Sequence, residues 1–296
     1  MTWAKRWWLV LPLLVALDLV AEIHWWSNAE RQLHPLRVAI SSTEVERARR
    51  ALPFFEAVTF RTRDGLRLSG WFSRGARSDA IVLIHGVGSN RASLLDAAQA
   101  LAQHGHGVLL YDSRDSGESE GQLSTWGDSE QLDTEAALDY LSGRADVDHA
   151  RLGLYGFSVG ATTAALVAAH DTRVAATALG PTWTSLEDEI VAKFGKWGPL
   201  SLWPARAAFQ HEHVAVTRLR PIDVVASVAR RPLFLMSGDE DTDTPPLVME
   251  RLHARAPAVE YWLVHGAGHG GFERAEPTAF VAHFCGFFDR AFPLRG

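Results

Sequence analysis

The stretch "RLGLYGFSVGATTAALVAAH", residues 151–170, decides the fold. It begins with an apolar, aromatic-containing run that reads as a strand, and ends in an alanine-rich run that reads as a helix. Between them Gly156 and Gly160 bracket Ser158. A strand that turns directly into a helix needs a tight turn, and glycines relieve it because neither carries a Cβ. One reading is an ordinary glycine turn. The other is a serine nucleophile lifted clear of its backbone in a Gly-x-Ser-x-Gly arrangement, and the strand before and helix after favour it.

A hydroxyl is a weak nucleophile without a base, and the base needs an orienting acid. In "VEYWLVHGAGHGGFE" His269 stands in a glycine-rich loop after the last strand-like run, where an imidazole can be brought over Ser158. His265 competes for the role. Its place beside the strand end predicts a half-buried side chain, so His269 is preferred. "SGDEDTDTPP" follows another apolar run and offers Asp239, Glu240, Asp241 and Asp243 as the acid, of which Asp241 is chosen.

Outward from these residues, apolar runs alternate with helical patterns. "FFEAVTFRT" and "LRLSGWF" flank Arg63-Asp64-Gly65, a hairpin signal. "AIVLIHG", "GVLLYDS", "RLGLYG" and "VAATALG" are then separated by helices near residues 93–103 and 129–141 and by the one that follows Ser158. The last two strands come from "RPLFLMSGDED" and "VEYWLVHGAGHG", and residues 276–292 read as a closing helix. Strands joined by helices of this length predict an α/β fold, with right-handed crossovers and a mostly parallel central sheet of about eight strands. Residues 181–220 carry Trp183, Phe194, Trp197, Trp203 and Phe209 without a strand pattern, and read as a short lid insertion.

The bulk properties exclude several functions. The 296 residues carry a net charge of −6, and no cluster of Lys and Arg would track a phosphate backbone, so nucleic acid is not an expected partner. Cys285 is the only cysteine, which rules out an intramolecular disulfide and a thiolate zinc site. Asp239, Asp241, Asp243 and Glu250 have the spacing of a calcium loop, but Thr244 stands where such a loop needs glycine and Pro245-Pro246 follow. His211-Glu212-His213 reads as an exposed piece of the lid, since histidines two apart coordinate together only on a strand. No metal or other cofactor is expected.

At the N-terminus "WWLVLPLLVALDLVAEIHWW", residues 7–26, is long enough to cross a bilayer and has tryptophan pairs at both ends. Residues 1–26 are therefore expected to form a membrane anchor, a single transmembrane helix. Asp18 and Glu22 oppose insertion. A cleaved signal peptide with residues 9–17 as its apolar core is the alternative, though Leu19-Val20-Ala21 makes a poor cleavage site; a soluble helix is a third reading. Lys5 and Arg6 precede the segment, which predicts an extracytoplasmic catalytic body. Residues 27–53 read as a connecting helix ending at Pro53, with Val45, Ala48 and Leu52 on one face.

From residue 54 to the C-terminus the chain resembles the α/β-hydrolase superfamily, in its serine-hydrolase branch. The resemblance rests on Gly156 to Gly160, on the order Ser158, Asp241, His269, on "IHGVG" upstream, and on Gly238, Asp241 and Pro245 in a Gly-x-x-Asp-x-x-x-Pro frame. It implies the α/β-hydrolase fold. The family's His-Gly turn is matched by His85-Gly86, which implies that the backbone N–H groups of Val87 and Val159 form an oxyanion hole. "YDSRDSGESEG", residues 111–121, resembles the family's loop after the fourth strand, with Arg114 and Asp112 bracing nearby backbone. Asp115 departs from it by standing where glycine is usual, which leaves the loop's shape open.

Members with this fold that process halides or epoxides carry aspartate at the position of Ser158, and dienelactone-type members carry cysteine. Serine implies acyl transfer to water. The expected substrates are carboxylic esters with apolar acyl groups, given the aromatic lid. The alternatives are a peptidase or amidase acting on short peptides with the same residues, and a catalytically inactive, membrane-tethered binding protein.

Overall fold

The structure is a computed structural model that describes residues 7–294. Eight strands form one sheet in the order β1-β2-β4-β3-β5-β6-β7-β8. They are β1 Phe55–Arg61, β2 Arg67–Ser73, β3 Ala80–Ile84, β4 Gly107–Tyr111, β5 Leu152–Gly156, β6 Val174–Leu179, β7 Leu233–Gly238 and β8 Glu260–Val264. The β1–β2 hairpin and the β2–β4 pair are antiparallel, and every other neighbouring pair is parallel. Strands β3 to β7 are buried almost end to end, because helices cover both faces of a parallel sheet and no polar face is needed.

The helices are α1 Trp7–Leu33, α2 Ser42–Ala51, α3 Leu95–Gln103, α4 Glu130–Ser142, α5 Val159–His170, α6 Leu186–Phe194, α7 Pro199–His211, α8 Pro221–Val228 and α9 Pro246–His253. The closing stretch is broken into Phe272–Ala275, Pro277–Phe280, a π turn at Val281–Cys285, and Gly286–Ala291. One apolar layer lies under α4, α5 and α8, the other under α3 and the closing helices. Parallel strands all point their carboxyl ends to one edge, and the loops that leave that edge carry the candidate site.

The expectation of an N-terminal transmembrane helix is corrected. Among the described residues no helix is long and apolar enough to cross a membrane. The apolar segment is part of α1, which continues through polar residues to Leu33, and its last turns pack on α7, with Ala29 and Leu33 fully buried beside Phe194, Ala205 and Phe209. Lys5 and Arg6 lie outside the described residues. The connecting helix is shorter than expected. It is α2, opened by a capping box in which Ser41 accepts from the Glu44 N–H and Glu44 reaches back to Ser41. It buries Ala48, and Leu52 follows it just before Pro53.

Residues 181–220, which carry no strand pattern, hold two α-helices. Ser185 caps α6 by accepting from the Asp188 N–H, and α7 follows. Of the five aromatics there, Trp183, Phe194 and Phe209 are buried against α1 and Trp126, while Trp197 and Trp203 are exposed.

Candidate active site

Ser158 stands between β5 and α5 with φ +56° and ψ −122°, a region that L residues rarely occupy. The glycines make this turn possible. A Cβ on Gly156 would lie 2.2 Å from the Gly160 carbonyl oxygen, and one on Gly160 would lie 2.1 Å from that of Ile84. The elbow is pinned to its neighbours by Phe157 N–H donating to the Ile84 carbonyl at 3.0 Å and Gly180 N–H to the Gly156 carbonyl at 2.8 Å.

The turn after β3 is held by a buried histidine. The Ser113 N–H donates to His85 Nε2 at 3.1 Å, so Nε2 is the acceptor, and Nδ1 donates to the Gly86 carbonyl at 2.7 Å. Burial holds the imidazole below its ordinary pKa, in keeping with this neutral form. His85 thus ties the Gly86-Val87 turn to the β4 loop. Val87 lines the same cavity as Ser158, and Val159 opens α5, where first-turn N–H groups have no carbonyl four residues back to bind. Among the described residues neither N–H donates to another protein group.

His269 and Asp241 meet, with Nδ1 2.8 Å from Oδ2. Asp241 is buried, and its other oxygen accepts from the Asp243 and Thr244 N–H groups at 2.9 and 2.8 Å. Two backbone donors fix the carboxylate, and the carboxylate fixes the ring. The Phe157 ring, 5.1 Å from the imidazole between centroids, limits its swing. Asp239 pairs instead with His265, Nδ1 to Oδ2 2.9 Å, and that imidazole is 74% exposed rather than half buried as expected. The hydrogen bond to Asp239 raises the His265 pKa.

Ser158, His269, Val87 and Asp243 line one cavity of about 360 Å³. Its walls include Trp126, Trp183, Tyr155, Phe157 and Phe272, and also Glu189, Lys193 and Glu273. Glu189 is 8% exposed and lies 3.1 Å from Lys193 Nζ. Burial pushes the Glu189 carboxyl above its ordinary range while Lys193 opposes the shift, and burial does the same to Glu273. Sequence reasoning missed Gln32, Trp126 and Glu189. Gln32 reaches the cavity only because α1 docks on the insertion, which no local pattern announces. Trp126 was findable as the lone tryptophan in the loop before α4, at φ +57°, where it packs on Trp183 at 5.5 Å.

The loop at residues 111–121 keeps its bracing role and resolves the question of Asp115. That residue takes φ +60°, the left-handed conformation that glycine adopts freely and aspartate tolerates better than most. Asp112 accepts from the Arg91 and Glu118 N–H groups, both at 2.8 Å, and pairs with the Arg91 guanidinium. Arg114 braces side chains instead of backbone, since its guanidinium binds Asp133 at 2.7 Å and Asp64 of the hairpin turn at 3.0 Å.

The profile of a family described as X-Pro dipeptidyl-peptidase (S15 family) matches residues 41–293. An uncharacterized protein of Mycobacterium tuberculosis is 31% identical over 266 residues, 88% of each chain. The alpha/beta hydrolase domain-containing protein WAV2 of Arabidopsis thaliana is 29% identical over 211 residues, 69% of this chain and 67% of that one. Among solved structures, the Pyrococcus furiosus esterase Pf2001 superposes with a TM-score of 0.72 at 23% identity, covering 88% of this chain and 98% of that one.

Proposed function

The chain belongs to the X-Pro dipeptidyl-peptidase (S15) family within the α/β-hydrolase superfamily, and on that premise we propose that it hydrolyses carboxylic esters with apolar acyl groups through Ser158, His269 and Asp241. The observation that carries this reading is the 2.8 Å contact of His269 Nδ1 with Asp241 in a cavity that Ser158 shares.

With Nδ1 held by the carboxylate, Nε2 is the nitrogen left to take the Ser158 proton as Oγ attacks the carbonyl carbon. The negative charge that develops on the carbonyl oxygen is met by the N–H groups of Val87 and Val159. The protonated imidazole then gives its proton to the leaving group. An acyl-enzyme remains, and a water activated by the same nitrogen releases the acid. The aromatic walls from Trp126, Trp183 and Phe157 suit an apolar acyl group.

A second reading, cleavage of a short peptide or amide, draws on two observations. One is the description of the family itself. The other is the set of acids in the cavity, Asp96, Glu189, Asp243 and Glu273, against the cations Lys193 and Arg274; such a lining attracts a substrate amine.

Labelling by a fluorophosphonate probe tests the serine chemistry, and its absence on the folded protein sinks both readings. A panel of p-nitrophenyl esters beside aminoacyl anilides separates them, and anilide turnover above that of every ester overturns the first.

A further inference from the structure

We propose that Glu30, His34 and Glu212 form a binding site for one divalent transition-metal ion, with zinc the ion their donors suit, and that the bound ion ties the end of α1 to the end of α7. Glu30 and His34 stand four apart at the end of α1 and so share a face. Glu212 caps the C-terminus of α7, the helix packed on α1. One donor atom from each of the three lies within 4.8 Å of the others.

Three features point to a cation between them. His34 Nδ1 lies 2.7 Å from the Gln122 carbonyl oxygen, which can only accept, so Nδ1 carries the proton. That contact turns the ring so that Nε2 faces the two carboxylates, the orientation that a second hydrogen-bond partner gives to metal-binding histidines. Next, Nε2 is 3.5 Å from Glu30 Oε2 and 3.7 Å from Glu212 Oε1, too far for good hydrogen bonds. Ligand bonds of about 2.0–2.2 Å around a tetrahedral ion give edges of roughly 3.3–3.5 Å, close to these separations. Finally, no Lys or Arg pairs with Glu30 or Glu212 among the described residues.

One imidazole and two carboxylates suit zinc better than calcium, which takes oxygen ligands. A water completes the four positions. The segment being clamped matters for the cavity. Gln32 lines it, the Gln32 carbonyl accepts from Trp126 Nε1 at 3.0 Å, and the Leu33 carbonyl accepts from the Ser124 N–H at 2.8 Å. An ion here holds one cavity wall in place without touching the reacting atoms.

The test is calorimetric titration of the chelator-treated full-length protein with ZnCl2, beside Glu30→Gln and Glu212→Gln, which keep side-chain size. The expected result is one Zn2+ per chain, a rise in unfolding temperature on binding, and a loss of affinity of about a hundredfold or more in either variant. No saturable one-to-one binding by the wild-type protein, or unchanged binding by both variants, overturns the proposal. Should the variants fail to fold, zinc-edge X-ray absorption of the wild-type complex decides it: a shell of oxygen with one imidazole supports the site, and two or more imidazoles overturn it.

Discussion

His269 and Asp241 stand 28 positions apart in the chain and meet at 2.8 Å. They do so because β7 and β8 are parallel neighbours whose carboxyl ends release both loops at one edge of the sheet. The same neighbourhood brings His265 to Asp239 in solvent, away from the cavity. Two His–Asp pairs therefore lie side by side, and only His269 lines the cavity that Ser158 lines.

Asp241→Asn is expected to lower turnover by about four orders of magnitude, the size of effect that the equivalent substitution has in a serine protease, because an amide can stabilise the wrong imidazole tautomer. Asp239→Asn and His265→Ala should leave turnover within about twofold. Asp243→Asn changes a cavity wall and should act through KM, since only its backbone N–H holds Asp241. Steady-state kinetics on one ester decides among them, and a larger kcat loss in Asp239→Asn would move the triad to the other pair.

Ser158→Ala should abolish probe labelling and lower kcat by about six orders of magnitude, as loss of the nucleophile does in a protease where it has been measured. Its far-ultraviolet circular dichroism should match the wild type, because the glycines that shape the turn remain. Labelling that persists in the variant would place the nucleophile elsewhere.

Gly160→Ala should destabilise the protein by about 3 kcal/mol or fail to fold, since the new Cβ would meet the Ile84 carbonyl oxygen at 2.1 Å and neither backbone can yield without breaking strand pairing. Gly65→Ala, with open space around it, should cost less despite its φ of +94°. Urea unfolding of the two variants gives the comparison, and equal midpoints would contradict the close approach.

Cys285 is buried, and burial pushes its thiol up to about 12. Only the thiolate reacts with alkylating reagents, so at pH 8 the folded protein should react roughly a thousandfold more slowly than an exposed cysteine. The folded state holds this proton more tightly than the unfolded chain does. Its contribution to stability is therefore complete below the ordinary thiol range and is lost as pH rises from about 9 towards 12. Rapid labelling by iodoacetamide at pH 8 without denaturant would contradict the burial.

The strand-and-helix alternation, the β1–β2 hairpin and the turn at Ser158 were legible because each rests on local physics. Buried parallel strands must be continuous apolar runs, and a strand-to-helix turn this tight must have glycine on both sides. The sequence selects Asp241 as the candidate acid from four carboxylates in one loop; the fold adds that Asp241 meets His269 while its far oxygen accepts from the Asp243 and Thr244 N–H groups. Composition misled at the N-terminus. Tryptophans and leucines in residues 7–26 read as a bilayer span, yet the helix that holds them runs on to bury Ala29 and Leu33 under α7 and to bring Gln32 to the cavity wall. An apolar helix face states that something will cover it and does not state what. The docking of the end of α1 on α7, like the meeting of Glu30 and His34 with Glu212, is made by long-range packing and leaves no periodic mark in the chain, while Leu14, Leu17, Val20 and Ile23 of the apolar segment stay exposed.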